Sequence, residues 1–311
     1  MEKSETGSDA HAKNEGLRKI MTEKMFGFIG LGNMGVGMAR NIAAKGHAMI
    51  VHDLAGTADR APQGATIAQS NGEVARRADV LALSLPTVAA NRAVVLEIAQ
   101  VGNKGSVVVD TGTIGQPAAE ENAHILAAAG IGYIDCPVSG MKVKAESGTL
   151  ASMAACSAEN LQKARALIEG YSAVIYHVGT EPGQGQVMKV VNNALYISAL
   201  VTTSEAMSYG EDRGLDMSTM LDVINASSGR NLVTSLIFAD SLAKGAFDNA
   251  GAQAHIIKKD LSLFVDAAAS QGTQSKTIAK AFETIAAFSD ADPTVDMAGI
   301  YPFVRDISKS S

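Results

Sequence analysis

Five glycines fall within the stretch MFGFIGLGNMGVGMAR at residues 25–40. Three of them, Gly30, Gly32 and Gly35, form the pattern G-x-G-x-x-G, which alone is weak evidence because glycine pairs recur in many loops. Here an apolar run precedes the pattern, a helix-forming run follows it, and the next apolar run ends in Asp53, 18 residues after Gly35. This order of strand, glycine turn, helix, strand and acid predicts a dinucleotide-binding fold.

Each glycine has its own role in such a turn. Gly30 allows the chain to turn sharply off the strand, Gly32 lets the backbone approach a pyrophosphate, and Gly35 lets the helix pack closely on the sheet. Backbone N–H groups at the start of the helix, at the positive end of its dipole, would hold the anionic pyrophosphate. A glycine-rich turn with a purely structural role is the alternative. The residues predicted to bind the cofactor here are Gly30, Leu31, Gly32, Asn33, Met34 and Gly35.

Asp53 indicates which dinucleotide the chain uses. Its carboxylate can accept hydrogen bonds from the hydroxyls of the adenosine ribose, whereas a 2′-phosphate would meet a like charge. No arginine follows directly, since the next residues are Leu54, Ala55 and Gly56. We therefore predict NAD as the cofactor in preference to NADP.

The rest of the chain divides into two parts with different sequence patterns. From residue 25 to about 176, short β-rich runs alternate with helical ones, which predicts a doubly wound parallel sheet in an α/β fold. From Gln186 to Tyr209 the sequence predicts one long apolar helix, and helical spacing continues to Ser289. We expect a disordered extension at 1–24, a Rossmann-like domain at 25–185, and an all-α domain at 186–311 for substrate binding and oligomerisation. The predicted strands are Phe26–Ile29, Ala48–His52, Val80–Ser84, Ser106–Asp110, Gly132–Asp135, Leu150–Ala154 and Val174–His177.

Composition excludes several classes of protein. The longest apolar runs are far shorter than the roughly 20 residues that span a bilayer, so we expect a soluble protein. The net charge of −6, without a Lys/Arg block, argues against nucleic acid or an anionic membrane as a partner. Two cysteines in 311 residues are too few for a disulfide framework, which predicts a cytoplasmic setting. No histidine has a partner at metal-ligand spacing, so no metal site is expected.

Four blocks of the sequence, in order, resemble the β-hydroxyacid dehydrogenase family. This family includes 3-hydroxyisobutyrate dehydrogenases and tartronate semialdehyde reductases and is related to 6-phosphogluconate dehydrogenase. The blocks are GFIGLGNMGVGMARNIAAKGH at 27–47, DCPVSG with SGTL at 135–150, GQGQVMKVVNN at 183–193 and KKDL at 258–261. The resemblance spans about residues 25–288. It implies oxidation of a short, anionic β-hydroxy acid with NAD(P), or reduction of the matching aldehyde or ketone, by a homodimer or homotetramer.

The resemblance also implies roles for individual residues. Lys189 corresponds to the catalytic lysine of the family, and Asn193 to the asparagine that orients the substrate. The segment of Ser139, Gly140 and Met141 corresponds to the substrate-binding loop. Residues that correspond to cofactor contacts are Leu85, Pro86, Thr113 and Lys259, of which Lys259 is also expected near the substrate.

The chemistry of these residue types agrees with the resemblance. A lysine that is partly buried beside a charged cofactor can have a lowered pKa and take the proton of a hydroxyl group. Lys189 lies early in an otherwise apolar helix, and Asn193, four residues later, projects from the same face. The alternatives are a lysine that reaches solvent at a domain edge and an asparagine that bonds to a neighbouring helix.

The sequence departs from the family in the substrate-binding loop. Met141 stands where a second glycine is usual, which adds bulk and should exclude backbone angles that only glycine adopts. Lys142 and Lys144 follow, either as solvated surface charges or as partners of a substrate with an extra negative charge, such as a sulfonate or phosphate.

Two other departures lie elsewhere in the chain. Gly112 replaces a usual serine, and residues 248–252 replace a segment that usually contains an aromatic residue.

The alternatives to a hydroxy acid dehydrogenase are a reductase of a sulfonated or phosphorylated aldehyde, an imine reductase, and an NAD-binding protein without turnover. Imine reductases generally lack a lysine at the position of Lys189.

Overall fold

The structure is a computed structural model that describes residues 24–248 and 250–310. The disordered extension predicted at 1–24 lies outside the described residues, except for Lys24. The division into domains at 25–185 and 186–311 stays a prediction, although the described elements change from strands and helices to helices alone near this point.

The strands of the described part of the chain form one sheet. They are β1 (Phe26–Ile29), β2 (Met49–His52), β3 (Thr66–Ile67), β4 (Val80–Leu83), β5 (Val107–Asp110), β6 (Gly132–Asp135), β7 (Val138–Ser139), β8 (Leu150–Ala155) and β9 (Ser172–Gly179). Their order in the sheet is β3-β2-β1-β4-β5-β6-β8-β7, with β9 paired to β8. Strands β1 to β6 pair in parallel, which is the order of a dinucleotide-binding sheet.

The predicted α/β fold with a Rossmann-like sheet is therefore confirmed. The sheet is mixed beyond β6, because β8 runs antiparallel to β6 and β7 and parallel to β9. Sequence periodicity predicts that a run is a strand but carries no information on its direction. It also missed the two-residue strands β3 and β7, which are too short to show a period.

Within the described residues, six helices accompany the sheet and six follow it. The first group is α1 (Gly35–Ala44), α2 (Asn71–Arg77), α3 (Val88–Val101), α4 (Gln116–Ala128), α5 (Met141–Ser147) and α6 (Ala158–Tyr171). The second group is α7 (Gln184–Asp212), α8 (Met217–Asn225), α9 (Phe238–Lys244), α10 (Ala254–Ser270), α11 (Lys276–Ala291) and α12 (Ile300–Ser310). A π-helical turn, Val233–Ile237, precedes α9, and a 3-10 turn, Met297–Gly299, precedes α12.

Three apolar clusters form the core of the part of the chain that the structure describes. Alternate residues of the central strands point to opposite faces, so Val107 and Val109 pack in one cluster and Val108 in another. The third cluster belongs to the helices after residue 186, where α7 packs against α10, α11 and α12. The 29-residue α7 also contacts β6, β8 and α4, so it joins both parts of the chain.

The start of α7 is fixed by a buried carboxylate at the end of β6. Asp135 Oδ2 accepts hydrogen bonds from the backbone N–H groups of Gly183 and Gln186, both at 3.0 Å. The first N–H groups of a helix have no partner within the helix, so this carboxylate satisfies two donors and lies at the positive end of the dipole. Burial raises the pKa of Asp135, and these donors oppose that rise.

The side chain of Gln186 extends this junction to the loop after β5. Its Nε2 donates to Asp135 Oδ1 at 2.7 Å and to the carbonyl oxygen of Gly112 at 3.0 Å. Its Oε1 accepts from the N–H groups of Ile114 and Gly115, at 2.9 and 3.1 Å. Gln186 is fully buried, so one side chain links the sheet, the loop after β5 and α7.

We predict that Gln186→Leu lowers the free energy of unfolding by about 2–4 kcal/mol, because it leaves buried donors and acceptors without partners. Urea denaturation would measure the change. Gln162→Leu, at an exposed position of α6 whose side chain bonds to no other described residue, is the matched control and should change stability by less than about 0.5 kcal/mol. Equal losses in both variants would contradict the importance of the junction.

Candidate active site

A cavity of about 790 Å³ lies between the sheet and the helices that follow it. On the sheet side it is lined by residues that follow the carboxyl ends of strands, such as Met34, Leu85 and Thr113. On the helical side it is lined by Lys189 and Asn193 of α7. Open α/β sheets bind ligands at the carboxyl ends of their strands, so this cavity is the candidate active site.

The glycine-rich turn after β1 has the geometry of a phosphate-binding loop. Gly30 has a φ of +94°, and a Cβ there would overlap the carbonyl oxygen of Ser84. A Cβ on Gly35 would overlap the carbonyl oxygen of Gly30, so α1 approaches the turn too closely for a side chain. A Cβ on Gly32 would meet no heavy atom within 4 Å, which leaves open space for a ligand beside the backbone.

The carboxylate of Asp53 forms a hydrogen bond with this turn. Its Oδ2 accepts from the backbone N–H of Leu31 at 2.6 Å, and its Oδ1 accepts from the N–H of Ala55 at 2.8 Å. Arg60 Nη1 lies 3.2 Å from the same Oδ1. This arginine was not predicted from the sequence, because it lies seven residues after Asp53 and a short turn brings it back to the carboxylate.

The predicted cofactor residues differ in how they meet the cavity. Asn33, Met34, Leu85, Thr113 and Lys259 line it. The side chain of Leu31 is buried in the core, so only its backbone could reach a ligand. Pro86 is exposed and does not line the cavity, although its neighbour Leu85 does.

Lys189 lies partly buried on the wall of the cavity, near the charges of Asp260 and Lys259. Its ammonium forms no hydrogen bond or ion pair with another described residue. Burial lowers the pKa of Lys189, an effect that nearby Asp260 opposes and Lys259 increases. The amine therefore loses its proton more easily than that of an ordinary lysine.

Asn193 begins a chain of polar contacts that closes one side of the cavity. Its Nδ2 donates to Asp260 Oδ2 at 2.9 Å, and the other carboxylate oxygen of Asp260 lies 2.9 Å from Lys259 Nζ. Lys259 Nζ also donates to the carbonyl oxygen of Thr113 at 3.1 Å. These contacts tie α7 and α10 to the loop after β5, so the residues of three distant blocks of sequence meet at one place.

The substrate-binding loop predicted from the sequence also lines the cavity. Ser139 ends β7, and Gly140 has a φ of +143°. Met141 was expected to exclude backbone angles of the glycine type, yet it has a φ of +60° and is the sole non-glycine residue with a positive φ among those described. Its side chain packs against the core of the helices after residue 186, which offsets the cost of this conformation.

A second buried carboxylate, that of Asp110 at the end of β5, holds the start of the loop that follows this strand. Asp110 is fully buried and accepts hydrogen bonds from Asn91 Nδ2 at 2.8 Å, the N–H of Gly112 at 3.1 Å and the Tyr133 hydroxyl at 3.2 Å. Burial raises the pKa of Asp110 to about 6, despite these donors. This network was not predicted from the sequence, where its sole signal is an acid at the end of an apolar strand.

Other reactive side chains lie outside this chemistry. Cys136 is fully buried, and burial raises the pKa of its thiol. His255 is exposed, and its Nδ1 lies 2.7 Å from the carbonyl oxygen of Pro293. Within residues 24–248 and 250–310, no group of three or more His, Cys, Asp or Glu side chains is placed to hold a metal ion.

Two family models match the chain. The NAD binding domain of 6-phosphogluconate dehydrogenase matches residues 25–179. The NAD-binding model of NADP-dependent 3-hydroxyisobutyrate dehydrogenase matches residues 183–303. Together they cover both parts of the chain that line the cavity.

Individual relatives agree with these models. The chain is 35% identical over 272 residues to a probable mitochondrial 3-hydroxyisobutyrate dehydrogenase of Dictyostelium discoideum, a match that covers 84% of each chain. It is 33% identical to a 2-(hydroxymethyl)glutarate dehydrogenase of Eubacterium barkeri, over 78% of this chain and 81% of that one. The solved structure of a 3-hydroxyisobutyrate dehydrogenase from Mycobacterium tuberculosis with L-serine has a TM-score of 0.83 and 27% identity, and covers 91% of this chain and 100% of that chain.

We predict that Asp53→Asn raises the ratio of kcat/KM with NADP to kcat/KM with NAD by more than about tenfold, because the charge that opposes a 2′-phosphate is removed while Arg60 remains. Initial rates with each dinucleotide would measure the ratio. Adding Arg60→Ala to this variant should abolish the gain, and a gain that persists would contradict the role given to Arg60.

Proposed function

The chain belongs to the β-hydroxyacid dehydrogenase family of NAD-binding oxidoreductases, and we propose that it interconverts a short β-hydroxy acid similar to 3-hydroxyisobutyrate with its semialdehyde or keto form. In this proposal Lys189 is the general acid and base of a hydride transfer. The observation that carries it is the buried amine of Lys189, which pairs with no other described residue and lies on the wall of a cavity that the glycine-rich turn also borders.

NAD, when bound, supplies the acceptor for the hydride that leaves the hydroxyl-bearing carbon. The neutral Nζ of Lys189 would take the proton of the same hydroxyl group during oxidation and return it during reduction. Its lowered pKa makes the neutral form accessible.

Asn193 would hold the reacting oxygen in place. One N–H of its side-chain amide is used by Asp260, and its Oδ1 accepts from Asn192 Nδ2 at 3.1 Å. These two contacts fix the plane of the amide, and its second N–H remains for a substrate oxygen. A group held in one orientation before the substrate arrives loses little entropy on binding.

The loop of Ser139, Gly140 and Met141 would bind the substrate carboxylate. The hydroxyl of Ser139 and the backbone N–H groups of this loop can donate to an anion. Lys259 would lie between this site and the nicotinamide, since it contacts the loop after β5 through Thr113. An imine reductase and an NAD-binding protein without turnover remain alternatives, but no contact in the cavity favours either.

We also propose a homodimer or homotetramer formed mainly by the helices after residue 186. Tyr209 on α7 and Val223 on α8 are 65% and 60% exposed, and exposed apolar side chains of this size support burial against a second copy. A cytoplasmic setting, without nucleic acid or membrane partners, also stays a prediction. No helix within the described part of the chain combines the length and apolar character needed to cross a membrane.

We predict that Lys189→Met lowers kcat for oxidation of 3-hydroxyisobutyrate, or of the best related acid, by about 100-fold or more, because the group that takes the proton is lost. NADH formation at 340 nm would measure kcat, and fluorescence titration should show unchanged NADH affinity. Lys258→Met is the control and should retain activity, since Lys258 lies on α10 and pairs with Asp290. Near-normal turnover by Lys189→Met would refute the assigned role.

A further inference from the structure

The cavity carries more positive charge than the proposed reaction uses. Its lining includes four lysines, Lys142, Lys144, Lys189 and Lys259, and one acidic side chain, Asp260. The whole chain has a net charge of −6, so the positive charge is concentrated at this cleft. A cleft lined by one sign of charge attracts ligands of the opposite sign.

Two of the four lysines are already accounted for. Lys259 forms an ion pair with Asp260 at 2.9 Å, and Lys189 is the proposed acid and base. A substrate with a single carboxylate would therefore leave the other two lysines without an anionic partner in the cavity.

Lys144 is the better placed of these two. Its stem lies over the substrate-binding loop, since a Cβ on Gly140 would come within 2.7 Å of Lys144 Cδ and 2.8 Å of its Cβ. The ammonium of Lys144 makes no ion pair or hydrogen bond with another described residue. It is therefore free to bind a ligand next to the predicted site for the substrate carboxylate.

Lys142 is held weakly by a neighbour on the same helix. Its Nζ lies 3.6 Å from Glu146 Oε1, and the two side chains are 53% and 55% exposed. Exposed pairs of this kind contribute little to stability, so an anionic ligand could replace Glu146 at small cost. Lys142 would add to the attraction without being its main source.

The side chain of Asn41 holds α5, which carries Lys142 and Lys144, against α1, the helix that follows the glycine-rich turn. Asn41 Nδ2 on α1 donates to the carbonyl oxygens of Ala145 and Glu146, both at 3.0 Å. Met141 begins α5 in the left-handed region, which is costly for a residue with a side chain. Such conformations persist where the surrounding structure fixes them, and they concentrate at functional sites.

We propose that Lys144, assisted by Lys142, binds a second anionic group of the substrate. The preferred substrate is then a β-hydroxy acid that carries a further carboxylate, sulfonate or phosphate on its carbon chain. This inference rests on the function proposed above and narrows its substrate class. The loop at Ser139 and Gly140 holds the first carboxylate, and Lys144 lies beside it at the outer side of the cavity.

The cofactor pyrophosphate is the other anion that could reach this segment. α5 packs closely on α1, since a Cβ on Gly37 would lie 2.8 Å from the carbonyl oxygen of Ala145. The test therefore measures dinucleotide affinity and substrate preference separately.

The experiment compares 2-(hydroxymethyl)glutarate with its monoamide, in which the carboxylate remote from the hydroxymethyl group is a neutral amide of nearly the same size. Wild-type protein should have a higher kcat/KM for the diacid. Lys144→Gln should lower kcat/KM for the diacid about tenfold and for the monoamide less than about twofold, with NADH affinity unchanged. Lys144→Arg, which keeps the positive charge, should retain the preference for the diacid over the monoamide. Lys280→Gln, an exposed lysine on α11 that pairs with Glu283, is the control.

Sulfonate and phosphate analogues of the diacid, with the same hydroxymethyl carboxylate end, distinguish the kind of second anion. A higher kcat/KM for one of them than for the diacid, lost in Lys144→Gln, identifies the preferred group. Equal losses for the diacid and the monoamide in Lys144→Gln would overturn the inference, and so would weaker NADH binding, which would assign this lysine to the pyrophosphate.

A binding measurement separates this inference from the proposed function. If wild-type protein oxidises neither 3-hydroxyisobutyrate nor any of these acids, the proposed function fails. Calorimetric titration of glutarate into the enzyme–NADH complex then tests Lys144 without turnover. Glutarate binding that weakens about tenfold in Lys144→Gln would support the second-anion site, and unchanged binding would overturn it.

Discussion

The buried contact between Asp135 and the first turn of α7 is the interaction on which the site depends. The carboxylate at the end of β6 accepts two backbone N–H groups of α7, and Gln186 extends the same contact to the loop after β5. Burying any of these polar groups without a hydrogen-bond partner would cost free energy. The arrangement in which all of them are hydrogen-bonded is therefore favoured. That arrangement fixes where α7 leaves the sheet and in which direction.

The direction of α7 places the proposed chemistry. One turn after the junction Lys189 faces the cavity, and Asn193 follows on the same face. Asn193 contacts Asp260 on α10. Lys259, on the same helix, contacts Thr113 in the loop after β5, which Gln186 also holds. A single loop after β5 is therefore tied to the helical part at two points, which closes the cleft on this side.

Much of this arrangement could be predicted from the sequence, because its signals are local. The glycine turn, the acid after β2 and the lysine in an apolar helix each break a short-range pattern. The antiparallel strand β8 and the return of Arg60 to Asp53 could not be predicted, since both depend on how distant segments pair. The same holds for the bonds of Gln186, whose partners Asp135 and Ile114 lie 51 and 72 residues earlier in the chain. The left-handed backbone of Met141 ran against expectation because tertiary packing supports it.

The measurement that tests the central claim most directly is the pH dependence of kcat/KM in both directions of the reaction. Burial lowers the pKa of Lys189, and oxidation needs its neutral form while reduction needs its protonated form. The account predicts that kcat/KM for oxidation rises with pH through one ionisation below about 10.4, the value of an ordinary lysine, and that kcat/KM for reduction falls through the same ionisation. Profiles without a break below that value, or breaks that change in the same direction for both reactions, would contradict a lysine as the acid and base.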